Sequence, residues 1–178
     1  MLKDVTLKIT PDLLRNANSS LIGHLGTHFD VMNKEFPLEY TKREAYVFDV
    51  SGIGNGEIGV NDIDLSKVHE GMFIGFCTGF IEKEGYGTEK YRHEHPQLSH
   101  ELIDALLERK IAIIGIDFAG VRRGREHTPA DQKCADRNTF VVENLYGLKE
   151  VSGSCIMHVY PMNCTGITGL PCRVIAEI

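Results

Sequence analysis

The residues with the clearest chemical potential lie between positions 24 and 30, in the segment His-Leu-Gly-Thr-His-Phe-Asp. Two imidazoles and one carboxylate, from His24, His28 and Asp30, are ligands that Zn²⁺, Mn²⁺ or Fe²⁺ accept. On a strand, side chains two residues apart point to the same side, which would bring His28 and Asp30 together, and Gly26 lets the backbone turn so that His24 can join them. The spacing therefore predicts a metal site. The alternative is a histidine that caps a turn beside solvated neighbours.

Two kinds of strand are predicted to surround this segment. Val5–Ile9 and Ala45–Val50 are rich in β-branched or aromatic residues and are bounded by turn formers, as is typical of strands. Met72–Cys77 and Ile111–Ile116 are instead apolar almost without interruption, which is typical of strands that are covered on both faces. Strands of the second kind occur in parallel sheets flanked by helices.

A helix is predicted between the two buried strands, over Leu98–Arg109. Its apolar residues recur at helical spacing, and Ser99 is suited to cap the first turn. The order strand, helix, strand predicts a parallel β-α-β unit, whose strand ends face a functional crevice. Asp117 lies at such an end.

A second helix is predicted at Thr128–Asp136, before a strand at Thr139–Val142 that places Glu143 at its C-terminal end. The tail, Gly153–Ile178, contains β-rich pieces separated by proline and glycine. The sequence as a whole predicts an α/β fold with a mixed β-sheet.

The composition predicts a soluble globular protein with a single domain over residues 1–178. Of the 178 residues, 42 % are hydrophobic and 25 % are charged, which is too apolar for disorder and about one domain's worth of chain. The formal net charge of −6 argues against nucleic acid or an anionic membrane as the main partner. A local basic patch at Arg122, Arg123 and Arg125 stays compatible with the sequence, although these side chains are expected to be mostly solvated.

The cysteines and the apolar runs predict a cytoplasmic location. Residues 1–14 mix charged and apolar side chains and so lack the core of a secretory signal, and the longest apolar run, Ile111–Ile116, is too short for a membrane span. The five cysteines form no C-x-x-C pair and are expected to be reduced thiols. They are Cys77, Cys134, Cys155, Cys164 and Cys172.

The segment from His24 to Asp30 resembles the His-x-Gly-Thr-His-x-Asp signature of the metal-dependent cyclase-like hydrolases, the family of bacterial kynurenine formamidase and isatin hydrolase. Three further blocks resemble the same family in the same order, so the resemblance covers residues 5 to 176. They are His95-Pro-Gln-Leu-Ser99 with Gly115-Ile-Asp117, Val141-Val-Glu143-Asn-Leu145, and Pro171-Cys-Arg173-Val-Ile-Ala176.

The resemblance implies a compact fold related to swivelling β/β/α domains, assembled as a homodimer or homotetramer. It implies one or two divalent ions, zinc first and manganese second, held by His24, His28, Asp30 and Glu143. The implied reaction is hydrolysis of an amide, formamide or lactam bond in a small-molecule substrate, as in an arylformamidase. In such chemistry a bound dication activates water and polarises the carbonyl.

Two positions depart from the family pattern. Lys34 stands where the family carries the acid/base histidine, and Asp131 stands where a further ligand histidine is expected, twelve residues before Glu143. Aspartate binds the same metals, so we expect Asp131 to complete the ligand set, with His127 as the alternative if the register slips. Lys34 and Glu143 are the expected catalytic residues, although a solvated surface lysine is the other interpretation of Lys34.

A third departure is the shortness of the segment before the histidines, where the family has a longer stretch with an aromatic substrate contact. Only Thr10–Gly23 fills this gap, and the chain has no tryptophan. The substrate is therefore expected to differ from that of the family's best-known member. A catalytically silent relative that binds a small molecule or a metal is the alternative function.

Other patterns are weaker. Gly52-Ile-Gly54-Asn-Gly56 follows a strand, but the third glycine of a dinucleotide loop is missing and no helix is expected after it. His93 and His95, before the predicted helix, are expected to be solvated. The G-x-S-x-G pattern of serine hydrolases is absent.

Overall fold

Seven strands close into a barrel in the computed structural model, which describes residues 1–5, 7, 23–164 and 166–178. The strands in chain order are β1 (Leu2–Asp4), β2 (His28–Asp30), β3 (Lys42–Asp49), β4 (Glu57–Ile58), β5 (Phe73–Cys77), β6 (Gln97–Leu98), β7 (Ile113–Ile116), β8 (Phe140–Glu143), β9 (Gly153–Pro161) and β10 (Gly169–Glu177). The α-helices are α1 (Phe80–Glu84), α2 (Glu89–His93), α3 (His100–Glu108) and α4 (His127–Ala135).

The order around the barrel is β2-β8-β7-β5-β3-β9-β10. Strands β3, β5, β7 and β8 pair in parallel, whereas β2, β9 and β10 join their neighbours antiparallel. The barrel closes because β10 pairs with β9 along one edge and with β2 and β1 along the other. The predicted α/β fold with a mixed sheet is confirmed.

The β-α-β unit forms as the sequence predicts, from β5 through α3 to the parallel strand β7. Ser99 caps α3, since its side chain accepts a hydrogen bond from the Leu102 amide at 3.0 Å. Leu98, which the helical pattern included, lies instead in β6, where its backbone pairs with Ile58. None of the described helices is long and apolar enough to cross a membrane.

The predicted strand at Val5–Ile9 lies largely outside the described residues, which omit positions 6, 8 and 9. Strand β1 ends at Asp4, and the Val5 amide continues its pairing by donating to the Val174 carbonyl at 3.0 Å. The N-terminal residues that are described therefore extend the edge of β10.

Apolar side chains fill both sides of the sheet. Phe29, Phe73 and Phe140 belong to one buried cluster inside the barrel, and Gly115 leaves room there because a Cβ would overlap the Phe73 ring. A second cluster lies between the outer face and the helices, where α3 buries a stripe of four residues. They are Leu102, Ile103, Leu106 and Leu107.

Helix α4 covers the outer face of the sheet beside β8. It starts one residue before the predicted Thr128, and β8 carries Glu143 as its last residue. The side of α4 that is buried includes Ala130, Asp131 and Cys134. The space between α4 and the sheet is therefore lined by acidic as well as apolar groups.

Candidate metal centre

Strand β2 presents two of the predicted ligands on one side. His28 and Asp30 flank Phe29, which points into the barrel, and the His28 Nε2 atom lies 3.7 Å from Asp30 Oδ1. Gly26 has a positive φ of 69°, which turns the preceding chain back toward the strand. His24 Nδ1 consequently lies 3.1 Å from Asp30 Oδ1 and 3.2 Å from His28 Nε2.

Strand β8 and helix α4 supply the other half of the cluster. Glu143 pairs in register with His28, and its Oε2 atom lies 3.6 Å from His28 Nε2. His127 and Asp131 are four residues apart on α4, so they share one helix face. The His127 Nε2 atom lies 3.1 Å from both Asp131 Oδ2 and Glu143 Oε1.

These six side chains form two overlapping groups of candidate ligands. One group is His24, His28 and Asp30, and the other is Asp30, His127, Asp131 and Glu143; within each group the ligand atoms lie within 4.8 Å of one another. Asp30 belongs to both groups. Imidazole and carboxylate donors at this spacing fit one divalent cation, or two that share Asp30.

Two buried oxygens support a cation in this position. Asp30 Oδ2 and Asp131 Oδ1 have no hydrogen-bond partner among the described residues, and a buried carboxylate oxygen without a partner is costly. No lysine or arginine in the described part of the chain forms an ion pair with Asp30, Asp131 or Glu143. A divalent cation would satisfy both the geometry and the charge.

Burial dominates the electrostatics of the cluster. It raises the pKa of Glu143 well above its ordinary value and that of Asp131 to about 6, because the charged form loses its hydration. Burial favours neutral His127, but hydrogen bonds to Asp131 and Glu143 outweigh it and raise the His127 pKa to about 11. Burial also opposes the charge of Asp30, whose pKa is nevertheless lowered by its hydrogen bond to His24. The protonated His127 thus balances part of the negative charge that a dication would neutralise.

Glycines lie directly against the two more exposed imidazoles. A Cβ on Gly169 would lie 2.8 Å from His24 Cε1 and Nε2, and a Cβ on Gly120 would lie 2.9 Å from His127 Cε1. Thr168, next to Gly169, places its hydroxyl 2.9 Å from His24 Nε2. No local pattern in the sequence marks either glycine, since Gly169 is far along the chain from His24, and Gly120 precedes His127 in a loop without helical or strand spacing.

The structure brings together His24, His28, Asp30, Asp131 and Glu143 from the predicted set. His127, considered as a substitute for Asp131, joins the cluster in addition to it. The sequence contained a signal for both, since residues four apart on a helix lie one above the other.

Lys34 lies outside the two ligand groups. Its ammonium is 3.0 Å from Asp136 Oδ1, just beyond the end of α4, and both side chains are at least a third exposed. The chain turns after β2, where Met32 has a φ of 55° and the Lys34 amide donates to the Val31 carbonyl. This turn directs Lys34 to the far end of α4 from His127.

Three residues near the site have roles other than those expected. His95 is buried rather than solvated, with Nδ1 2.6 Å from the Pro96 carbonyl and its ring stacked on Phe118. Arg122 is also buried, in ion pairs with Glu57 and Glu126. Asp117 accepts three hydrogen bonds, from the Thr78 hydroxyl and from the amides of Thr78 and Gly79. These residues hold loops in place around the barrel end.

Comparison with known proteins identifies the fold. Residues 3–122 match the family model Cyclase, described as "Putative cyclase". A potential metal-dependent hydrolase with cyclase activity is 21 % identical with a TM-score of 0.80, covering 99 % of this chain and 96 % of its own. A predicted metal-dependent hydrolase from Bacillus stearothermophilus is 22 % identical, with a TM-score of 0.79, and the match covers 99 % of this chain and 97 % of that protein.

Isatin hydrolase A from Labrenzia aggregata, in a structure with benzyl benzoate, is 18 % identical with a TM-score of 0.83, covering 100 % of this chain and 93 % of its own. None of the curated proteins matches the chain. At these identities the structural likeness establishes the fold.

Proposed function

The chain belongs to the cyclase family, and from that premise we propose that it is a metal-dependent hydrolase of an amide, formamide or lactam bond. The observation that carries the proposal is the pair of buried, unpartnered oxygens on Asp30 and Asp131. They lie in a cluster of three imidazoles and three carboxylates with the spacing of metal ligands. Similar folds in metal-dependent hydrolases and in isatin hydrolase support it.

The donor set favours zinc first and manganese second. Histidine nitrogens and carboxylate oxygens suit both ions, and the cluster offers no sulfur ligand. His24, His28 and Asp30 would hold one ion, and Asp30, His127, Asp131 and Glu143 a second. When bound, such an ion supplies a nucleophilic water at neutral pH and polarises the scissile carbonyl.

The substrate is proposed to approach between His24 and His127. Their side chains are 32 % and 35 % exposed, whereas those of Asp30, Asp131 and Glu143 are 3–5 % exposed. The carboxylates therefore form the closed floor of the centre and the two imidazoles its solvent side. When only the ion at His24, His28 and Asp30 is bound, the raised pKa of His127 keeps a proton between Asp131 and Glu143, which would place a proton donor at the entrance.

A catalytically silent relative is the second candidate, and the position of Lys34 favours it. The family's acid/base histidine is replaced by a lysine whose ammonium pairs with Asp136. If proton transfer depends on that position, the centre binds metal without turnover. If His127 and Glu143 handle the proton, the enzyme is active without Lys34.

Metal analysis and a hydrolysis assay test the proposal together. Protein purified without chelator should contain zinc or manganese, and it should hydrolyse N-formylkynurenine or a lactam such as isatin. Chelation should abolish turnover, and added Zn²⁺ or Mn²⁺ should restore it. His28→Ala should remove both metal and activity, while His93→Ala, at an exposed helix end, should change neither. Less than half an equivalent of any transition metal would overturn the proposal, and bound metal without turnover would favour the silent relative.

A further inference from the structure

The carbonyl of Gly26 connects the candidate ligand His28 to a buried hydrogen-bond network. His28 Nδ1 lies 2.9 Å from this carbonyl, while Nε2, on the other side of the ring, faces Asp30 and Glu143. A histidine that binds metal through one nitrogen commonly donates the other N–H to a carbonyl or carboxylate, which fixes the tautomer and the ring orientation. The position of the Gly26 carbonyl therefore decides where His28 Nε2 points.

Asn144 and Tyr91 hold that carbonyl in place. The Asn144 Nδ2 atom donates to the Gly26 carbonyl at 2.9 Å, and the Tyr91 hydroxyl donates to Asn144 Oδ1 at 2.6 Å. Reversing the amide would turn its oxygen toward the Gly26 carbonyl, so two acceptors would face each other. The Gly26 carbonyl, which can only accept, thus selects the orientation in which Asn144 donates to it, and the Tyr91 hydroxyl donates to the amide oxygen of that orientation and holds the side chain there. Both side chains are almost completely buried, where such bonds are strong and their loss is costly.

The backbone of Asn144 links the two strands that carry the ligands. Asn144 directly follows Glu143, and its carbonyl accepts a hydrogen bond from the Thr27 hydroxyl at 2.8 Å. Its φ is 59°, a left-handed conformation in which asparagine is enriched among non-glycine residues. Asparagine also carries a donor group, its NH₂, and an acceptor oxygen on the same side chain. Position 144 therefore requires a residue that adopts a positive φ and whose side chain both donates and accepts a hydrogen bond.

The Gly26 peptide is held from its other side as well. The Gly26 amide donates to the Tyr86 hydroxyl at 2.8 Å, so both polar groups of this residue are engaged by side chains from distant parts of the chain. A glycine with positive φ has unusual backbone freedom. These contacts remove that freedom at the turn between His24 and His28.

We propose that Asn144 and Tyr91 are positioning residues of the metal centre. Tyr91 anchors the Asn144 amide, Asn144 fixes the Gly26 carbonyl, and that carbonyl holds His28 with its proton on Nδ1 and with Nε2 free for a metal. The inference rests on the proposed function only in that a metal binds at His28; it does not depend on the substrate or on turnover.

The test is a double-mutant cycle on Zn²⁺ affinity, measured by competition with a chromophoric chelator. Asn144→Gly keeps the positive φ and deletes the amide, and it should weaken Zn²⁺ binding by about 10- to 100-fold, the usual effect of removing an outer partner of a ligand histidine. Tyr91→Phe should weaken it less. Because Tyr91 acts through Asn144, the double variant should bind Zn²⁺ as Asn144→Gly does.

Tyr40→Phe is the matched control. The Tyr40 hydroxyl donates to the carbonyl of Asn138 at 3.1 Å, and Asn138 also has a left-handed φ, of 57°. Asn138 lies before β8, whereas Asn144 follows it, so the control removes a tyrosine hydroxyl contact to an asparagine outside the metal centre, at a more exposed site. Tyr40→Phe should leave Zn²⁺ affinity unchanged. Circular dichroism and thermal unfolding of the metal-free proteins report any change in folding separately.

The outcomes separate the inference from the proposed function. Wild-type protein that binds Zn²⁺, with equal affinity changes in Tyr91→Phe and Tyr40→Phe, or with additive effects in the double variant, would overturn the positioning role alone. Wild-type protein that binds Zn²⁺ but hydrolyses no amide would overturn the function and leave the positioning role standing. If Asn144→Gly does not fold, the comparison of Tyr91→Phe with Tyr40→Phe decides.

Discussion

Strand β2 separates two buried regions of opposite character. Phe29 points into the barrel and packs on Phe36, with ring centroids 4.6 Å apart, while His28 and Asp30 point outward toward α4. The first region is held by apolar contacts among the described residues. The second contains buried oxygens without a partner. A buried side chain is therefore not always a stabilising one. Because successive side chains on a strand point to opposite faces, β2 places an apolar residue on one face and candidate metal ligands on the other.

The two regions differ in what each contributes to stability. Burying a large apolar side chain stabilises the fold by about 1.5–3 kcal/mol. Burying a carboxylate without full compensation does the opposite, as the raised pKa values of Glu143 and Asp131 indicate. The apolar clusters, one inside the barrel and one under the helices, should therefore determine the stability of the metal-free chain, and the polar part of the outer face between β2 and α4 should determine what it binds.

The largest expected effect comes from Asp30→Asn. Asp30 belongs to both ligand groups, and an amide is a much weaker ligand for these ions than a carboxylate. The variant should lose stoichiometric metal binding, and hydrolysis should fall to background. Metal analysis and the amide assay check this. Asp104→Asn, at a half-exposed site on α3, should retain both; a metal-replete Asp30→Asn protein would show that metal binding does not require the Asp30 carboxylate.

Phe73→Ala should lower the stability of the fold and leave metal binding intact, the reverse of what is expected for Asp30→Asn. Phe73 is fully buried inside the barrel, and truncating a core phenylalanine to alanine costs about 3–5 kcal/mol. Chemical denaturation of metal-free protein should show this loss. Zn²⁺ affinity of the folded variant should stay close to that of wild type, and a large decrease would mean that the interior and the metal centre are not separable.

Metal should stabilise the fold through the outer region. A ligand that binds only the folded chain stabilises it by about 2.7 kcal/mol when its free concentration is 100 times its dissociation constant. Thermal unfolding with and without Zn²⁺ should show this shift in wild type. The shift should disappear in Asp30→Asn and persist in Phe73→Ala. An equal shift in Asp30→Asn would place the stabilising metal elsewhere.

A pH-dependent effect is expected at Asp117, a buried carboxylate whose oxygens, unlike those of Asp30 and Asp131, all have partners. Burial nevertheless raises its pKa to about 7. Between its ordinary pKa of 3.8 and 7 the folded chain keeps a proton that the unfolded chain loses, so the free energy of unfolding falls as pH rises.

Asp117→Asn removes that titration and preserves the contacts, since the amide can accept from both backbone donors and donate to the Thr78 hydroxyl. The unfolding free energy of the variant relative to wild type should therefore rise between about pH 4 and pH 7, as measured by urea titrations across this range. A difference that does not change with pH would mean that the three hydrogen bonds keep the carboxyl ionised in the fold.

The parts of the structure that could be predicted from sequence are those that depend on local spacing. The alternation of side chains along a strand predicts that His28 and Asp30 share one face. The apolar runs predict β5 and β7, and the run before Glu143 predicts a strand with Glu143 at its C-terminal end. These patterns depend on periods of two residues in strands and about four in helices. They are therefore visible without knowledge of the fold.

The parts that could not be predicted depend on contacts between distant residues. Tyr91 and Asn144 are 53 positions apart, and no local pattern indicates that they meet. The burial of His95 and Arg122 was missed for the same reason, since polar side chains are usually exposed unless a distant partner compensates them. Both lie where loops pack on the barrel.

Lys34 gives the smallest expected effect and the sharpest test of the boundary between surface and metal centre. Its ion pair with Asp136 is partly exposed, and such pairs contribute about 0–1 kcal/mol. Lys34→Met should therefore leave Zn²⁺ affinity and the kcat for amide hydrolysis nearly unchanged, because His127 and Glu143, rather than Lys34, lie at the cluster. Asp136→Asn, which removes the partner, should behave alike. A large fall in kcat for Lys34→Met, with Asp136→Asn unaffected, would mean that the lysine leaves Asp136 during the reaction and that the metal centre extends around the end of β2.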